Sequence, residues 1–429
     1  MANNILTKEE IFKDIQEIMK NDYAGCIDKK SVNRPEVYIV SNGMSDLRFE
    51  ETIQDYLLDF RDGHLWFSSK DKTLPNRGFS VRRYKNALYV TESNREQRLL
   101  IGDKILRIDD ESISNLAIQY YKRLEEKAPE RQRWDSIIRR SESVQVERDG
   151  KVFEITLAEY EKTPYEAEHT FKLLDNKTAY IKITDFAEEK PIVKIVRDNQ
   201  EDLSNINNLI LDVRVNHGGN DSFYFPLLHY VFDKSLRFSE LFFKDEIMYT
   251  NYTKRNCDMW IQELQDYLKQ DLDSKTSEML KKEINTVKKN YGKGFLEVPD
   301  DEDFMIKGNS SPDHVYVLSD YYCGSSGDTF VSNLKKSSKV TVVGRPTMGI
   351  MDYFNVVTID YGNFDFGYGI SKMHSNYYIN GKGVEPHIYI PWTPDHLKRD
   401  VDLEYVLDCI KNKMNTFNLI PYSRIGRDC

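Results

Sequence analysis

The sequence predicts an α/β fold: a layered core of strands and helices, preceded by a β-rich module and a small helical cap. Three observations predict it. Short β-branched runs such as TAYIKITDF and NNLILDVRV alternate with helical segments beyond residue 161. Residues 77–160 alternate apolar and polar positions like half-exposed strands. The first 76 residues carry helical spacing instead. At 429 residues with 40% apolar and 12% aromatic side chains, the chain has the composition of a folded protein of two or three domains.

In chain order, TKEEIFKDIQEIMK places Ile11, Ile15 and Ile18 on one helical face, and Thr7 with Glu10 reads as a capping box. LRFEETIQDYLLDF is a second amphipathic helix leading into RDGHLWF. FSVRRYKNALYVTE and IGDKILRIDDESI read as strands. In SVQVERDGKVFEITL, Asp149-Gly150 joins two alternating runs as a hairpin. In the core, TAYIKITDF, NNLILDVRV, HVYVLSD, VTVVG and FNVVTID form one strand series, with helices near 191–206 and 221–233 and over DTFVSNLKKSS. Residues 258–292 interrupt it with two charged helical stretches, Trp260-Leu264-Leu268 and Leu280-Ile284-Val287-Tyr291, which read as a helical hairpin. The domains expected are 1–76, helical and containing Asp62-Gly63-His64; 77–160, β-rich; and 161–429, the α/β core with insertion 258–292.

Charge and cysteines narrow the class. Seventy acidic residues against 60 basic ones give a formal net charge of −10, and no basic stripe is interleaved with aromatics, which argues against nucleic acid as a partner. No run of about 18 apolar residues suggests a membrane span. The N-terminus shows no basic segment followed by an apolar one, so a cytoplasmic location is the expectation, although a leader already removed would leave the same pattern. Cys26, Cys257, Cys323, Cys409 and Cys429 are scattered, without a CxxC pair; they read as reduced thiols, and no metal site or cofactor is expected.

Four stretches could carry chemistry. LILDVRVNHGGNDSF ends a strand in Asp212 and Arg214 and reaches Gly218-Gly219, whose N–H groups could bind an anion; neither GxGxxG nor a P-loop is present. DYYCGSSGDTF presents Ser325 between glycines just before a helix, and the Ser326 N–H could serve an oxyanion. FRDGHLW offers His64 as a base; His217 and His374 are the other histidines in suggestive settings. NGKGVEPHIYIPW fixes Glu385 ahead of a proline. Each alone is more often a loop or a surface group.

Together, in this order, these stretches resemble the tail-specific (C-terminal processing) serine peptidase family. That family carries DLRxNxGG, a SASASE-like nucleophile segment, VVGxPTxG and GxGVxPD; here stand LDVRVNHGG, CGSSGD, VVGRPTMG and GKGVEPH. Aligning Asp328 with the family's acidic residue places Ser325 on the catalytic serine. IGDKILRIDDESI is similar to the family's GDxIxxIdG signature, which makes 77–160 a PDZ-like domain. The resemblance implies a core of the ClpP/crotonase-like type. Many members use a lysine in TxGKG; this chain has Ile350 there, and an apolar side chain takes no proton. RDGHLW resembles the tricorn-like branch, which uses a histidine ahead of the PDZ domain. The resemblance therefore implies a catalytic set of Ser325, His64 and Glu385, an oxyanion hole from Gly218 or Gly219 with Ser326, and peptides or unfolded protein tails as substrate. Self-association is compatible with it. Rival readings are a ligand- or peptide-binding protein on the same fold, a serine esterase, and a scaffold acting through 258–292.

Overall fold

A computed structural model describes residues 6–70, 76–126, 128–161, 164–242, 245–270, 274–298, 304–376 and 378–412; Cys429 lies outside them. The chain forms two compact units. One comprises Met1–Leu74, Phe243–Asp301 and Asp352–Tyr378; the other comprises Pro75–Phe242, Glu302–Met351 and Ile379–Cys429.

In the first unit, helix Lys8–Asn21 starts at the expected capping box: the Glu10 N–H donates to Thr7 Oγ1 at 3.3 Å and the Thr7 N–H to Glu10 Oε2 at 2.8 Å. Ile11, Ile15 and Ile18 are buried along one face. Helix Asp46–Leu57, capped by Ser45, buries Phe49, Ile53 and Tyr56. Both share a core with Phe67, Phe364 and Phe366 of an antiparallel sheet. Strand Phe364–His374 organises that sheet by pairing with Trp66–Ser69, Ile247–Tyr252 and Tyr353–Asp360. The charged insertion folds as helices Lys254–Tyr267 and Ser274–Asn290, with Leu264, Ile284 and Val287 buried.

Two expectations change here. FNVVTID does not extend the parallel series: Tyr353–Asp360 runs antiparallel to Phe364–His374 in the first unit's sheet. The turn at Gly362 is too short for the crossover a parallel pair needs, and only Tyr353 and Val357 of this strand are buried. The helical segment 1–76 also contains a strand, and it folds with 243–301 and 352–378, stretches read from sequence as parts of the core.

The second unit holds a six-stranded sheet in the order Ile388–Tyr389, Val340–Gly344, His314–Ser319, Asn208–Asp212, Thr178–Ile183, His169–Asp175. All neighbours are parallel except the last pair. Alternation sorts the side chains into two cores. Leu209, Leu211, Val315 and Val317 pack with Phe330 of helix Ser326–Leu334 and Leu227 of helix Phe225–Val231. Ile210, Tyr316 and Leu318 pack on the other face with Val406 of helix Val401–Lys411. Helices on both faces of a mostly parallel sheet are the expected layering.

The same unit contains the β-rich module, an antiparallel sheet of Ser80–Tyr84, Ala87–Glu92, Lys104–Ile108, Ser143–Arg148 and Lys151–Thr156, joined by the short Glu111–Ser112. Asp149 and Gly150 take φ of 50° and 74°, as a two-residue hairpin turn requires. Leu88, Ile105, Val144 and Trp134 lie in its core.

Module and parallel sheet are joined by buried charge. Arg82 donates to both oxygens of Asp320 at 2.7 and 2.8 Å. Arg345 Nε is 3.0 Å from Asp320, and its other nitrogens reach Asp402 at 2.9 and 2.6 Å. Arg214 joins Asp402 to Asp212 and Asp400. Burial pushes the Asp320 carboxyl up, but Arg82 and Arg345 outweigh it and hold it well below the usual range. Asp402 is likewise depressed, chiefly by His396 and Arg345 against its burial.

Replacing Asp320 by Asn leaves the buried Arg82 guanidinium without its counter-charge and Arg345 with Asp402 alone. The expected loss of stability is about 3–5 kcal/mol by urea unfolding at pH 7. Depressed carboxyls stabilise fully above their unfolded value of about 4 and lose that contribution as pH falls towards the folded value. The wild type should therefore lose stability on acidification below about pH 4, more steeply than Asp320→Asn.

Candidate active site

The segments DVRVNHGG and DYYCGSSG leave neighbouring parallel strands and stay paired: Val215 faces Tyr322, and Asn216 faces Cys323. The Gly324 N–H donates to Asn216 O at 3.0 Å. This second ladder brings Gly218 against Ser325. A Cβ on Gly218 would lie 2.8 Å from both Gly324 O and Ser325 Cβ; one on Gly219 would lie 2.0 Å from Phe186 O. Both glycines have positive φ, 73° and 141°. The paired glycines thus permit a close backbone approach.

Ser325 ends this ladder and caps helix Ser326–Leu334, with φ 57° and ψ −123°. An L-residue held there is strained and must be over-determined by its surroundings. The hydrogen bonds of Asp328 supply that restraint. Asp328 is fully buried. Its Oδ2 accepts from the N–H groups of Ser325 at 2.9 Å and Ile350 at 3.0 Å, and its Oδ1 from Gly349 at 2.8 Å. Burial pushes this carboxyl up against the pull of those donors and of Thr347. Asp328 entered the sequence reading only as an alignment mark; its structural work shows nowhere in the local pattern.

Hydrogen bonds tie both glycines into the corner. The Gly218 N–H donates to Asn216 Oδ1 at 2.9 Å, so it is engaged within the chain. The Gly219 carbonyl accepts from Ser326 Oγ at 2.7 Å, which ties the glycine turn to the first turn of the helix. Asn216, fully buried and anchored to Ile183 O at 3.0 Å, was missed because its role is non-local.

Asp221 was missed too. Ser326 and Thr329 hydrogen-bond its carboxyl, yet burial pushes its pKa up to about 6. Cys323, the rival nucleophile, is fully buried, and burial pushes its thiol well up, which keeps it protonated. Ile350, in the lysine position, has its Cδ1 3.4 Å from where a Gly324 Cβ would stand. The residue there is beside the nucleophile segment, and it is apolar.

Glu385 is exposed. Its segment is tied to the 347 turn by the Val384 N–H, which donates to Thr347 Oγ1 at 2.7 Å, and the Glu385 carbonyl accepts from Lys335 Nζ. His217 is exposed, its ring edge-on to Tyr165 at 4.8 Å; His374 ends its strand, also exposed.

His64 belongs to the first unit. It follows Arg61, whose φ of 49° turns the chain out of helix, and Asp62 caps the turn: the His64 N–H donates to Asp62 Oδ1 at 2.9 Å. His64 Nδ1 lies 4.0 Å from the same oxygen. Asp62 also accepts from Tyr23 OH at 2.8 Å. Burial pushes the Asp62 carboxyl up, against the influence of His64. Among the described residues, no group of three His, Cys, Asp or Glu side chains has a metal-holding arrangement.

With this geometry in hand, comparison identifies the core. Residues 177–390 match the model of peptidase family S41. The S41 domain covers both glycine and nucleophile segments and Glu385, and begins after the β-rich module. No curated protein matches the chain in sequence. In fold the chain is similar to mature CPAF complexed with lactacystin, with TM-score 0.67, 13% identity, and coverage of 96% of this chain and 99% of that one. Mature CPAF alone gives TM-score 0.66 and 14% identity over 95% and 98%. The photosystem II D1 C-terminal processing protease aligns over 93% and 96%, at TM-score 0.42 and 12% identity. At such identities the likeness to CPAF is one of fold.

Two outcomes follow. Gly218→Ala should cut reactivity at Ser325 by about 100-fold or more, since the new Cβ displaces the serine backbone; rates of modification by a serine-directed reagent measure it. Asp221→Asn should raise the melting temperature at pH 7.5. A raised carboxyl pKa gives stability present below about 4 and lost as pH rises through about 6, so the gain should shrink towards pH 5.

Proposed function

We propose that the protein is a serine peptidase that cleaves peptides or unstructured protein tails through an acyl-enzyme. The S41 domain supports a serine-type peptidase. The observation that carries the finer reading is Ser325, held at a strained strand-to-helix corner with Gly218 packed against it. In this reading Ser325 Oγ attacks the peptide carbonyl while neutral His64 takes its proton. The carbonyl oxygen becomes an oxyanion held by the N–H groups of Gly219 and Ser326, at the positive end of helix Ser326–Leu334. His64 then protonates the leaving amine, and water repeats the sequence on the ester. Glu385 orients the imidazole and stabilises its cation.

The pairing of His64 with Ser325, and the role of Glu385, rest on motif resemblance. So does the finer fold reading of a ClpP/crotonase-like core with a PDZ-like insert. A PDZ-like module would hold an extended chain as an added strand.

The test is labelling by a fluorophosphonate, with the modified residue located by mass spectrometry and hydrolysis followed on an unfolded protein. Label at Ser325, lost in Ser325→Ala and reduced by about 10³-fold or more in His64→Ala, is the expected outcome. Label at Ser325 that is indifferent to His64→Ala would remove histidine as the base. A folded protein that takes no label and cleaves nothing would instead be a binding protein on a peptidase fold.

A further inference from the structure

Arg131 lies in the β-rich module, on the short helix Pro129–Arg131, outside the S41 domain and outside every motif singled out in the sequence. It is buried, at 7% exposure. Its guanidinium does not end in a simple ion pair. Nη1 donates to the carbonyl oxygens of Pro346 at 3.1 Å and Thr347 at 3.0 Å, and Nη2 to that of Met348 at 3.2 Å. The guanidinium carbon stands 4.6 Å from the centre of the Tyr321 ring, and Glu126 supplies a carboxylate 3.6 Å from Nη2. Three consecutive carbonyls thus converge on one cation.

The turn so gathered is where the proposed site is assembled. The Met348 N–H donates to Cys323 O at 2.7 Å. The N–H groups of Gly349 and Ile350 hold Asp328, which holds the Ser325 N–H. On its other side Thr347 pairs with Val384, one residue before Glu385, through the Val384 N–H to Thr347 Oγ1 at 2.7 Å and the Thr347 N–H to Val384 O at 3.3 Å. The turn's N–H groups hold the nucleophile segment and the segment of Glu385. Its carbonyls would be left unsatisfied in the interior without Arg131, at a cost few native sites accept.

We propose that Arg131 is a positioning residue for Ser325: from the β-rich module it fixes the 346–348 turn, to which the nucleophile corner and the Glu385 segment are both hydrogen-bonded. This rests on the reading of Ser325 as the nucleophile. A planar, always-charged fork with several donors suits three carbonyls in a row, and an ammonium does not reproduce it. The module is thereby a structural part of the nucleophile's support.

Two readouts on the full chain test this. In Arg131→Ala, amide hydrogen exchange at Gly349 and Ile350 should quicken by about tenfold or more, while the central sheet strands keep their protection. The rate of fluorophosphonate attachment at Ser325, and kcat on an unfolded protein, should fall by about tenfold or more with KM little changed. Added ethylguanidinium should restore both readouts in Arg131→Ala, and Arg131→Lys should remain impaired. Wild-type exchange at 349–350 with wild-type labelling in folded Arg131→Ala overturns the proposal. So does a loss that tracks the unfolded fraction and is not rescued. If wild-type protein takes no label at Ser325, the peptidase reading fails by itself, and the exchange measurement still decides whether Arg131 holds the turn.

Discussion

Charge buried at the carboxyl ends of parallel strands is the constraint on which the second unit depends. Asn208–Asp212, His314–Ser319 and Val340–Gly344 lie side by side, and each runs into a charged residue: Asp212, Asp320 and Arg345. Apolar side chains would seal these ends more cheaply. Ion pairs buried here are costly unless every partner is in place. They are in place: Arg82, Arg345 and Arg214 alternate with Asp320, Asp402 and Asp212, drawn from the module, the strands and the final helix. The gain is geometric. A parallel sheet opens its strand ends to a crevice, and loops leaving it need anchors. Asp320 and Arg345 are such anchors, and the loops they root are 321–325 and 346–350.

Those loops show how strain at one residue is carried by many. Ser325 sits at positive φ without the freedom of glycine, a cost of order 1–3 kcal/mol. No single bond offsets it. The corner is held from below by the ladder to Asn216, from within by Asp328, and from the side by the turn that Arg131 gathers. Asp328 is unusual among these because it is a carboxylate satisfied almost wholly by backbone N–H groups. Backbone donors have fixed directions, so a carboxylate that accepts from three of them fixes three chain positions at once.

Local signals in the sequence were reliable where local physics decides. The Thr7–Glu10 capping box, the Ile11-Ile15-Ile18 stripe and the Asp149-Gly150 hairpin each depend on neighbours within a few residues, and each is found. The assembly of DVRVNHGG against CGSSGD was legible through motif order. What stayed hidden depends on partners far along the chain. Tyr353–Asp360 reads like a core strand until its antiparallel partner is seen. Asn216 engages the Gly218 N–H through one side-chain oxygen. Arg131 is 215 to 217 residues from the carbonyls it caps, in a stretch without a motif.

Ile350 draws these threads into one requirement. Where a lysine would need only desolvation to act as a base, an imidazole needs its tautomer and ring orientation fixed as well. In the proposed mechanism, with an apolar residue at 350, that base is His64 and the carboxylate that orients it is Glu385. RDGH builds a fixed turn around that histidine: Arg61 breaks the helix, Asp62 caps the turn and is itself held by Tyr23 OH, and His64 Nδ1 lies 4.0 Å from Asp62 Oδ1. Meanwhile Ile350 keeps its structural duty through its N–H, on Asp328. The backbone role of this position has thus been separated from any side-chain role. Any side chain at 350 whose residue keeps its N–H can make the same hydrogen bond to Asp328, so the corner's backbone support does not depend on a lysine there.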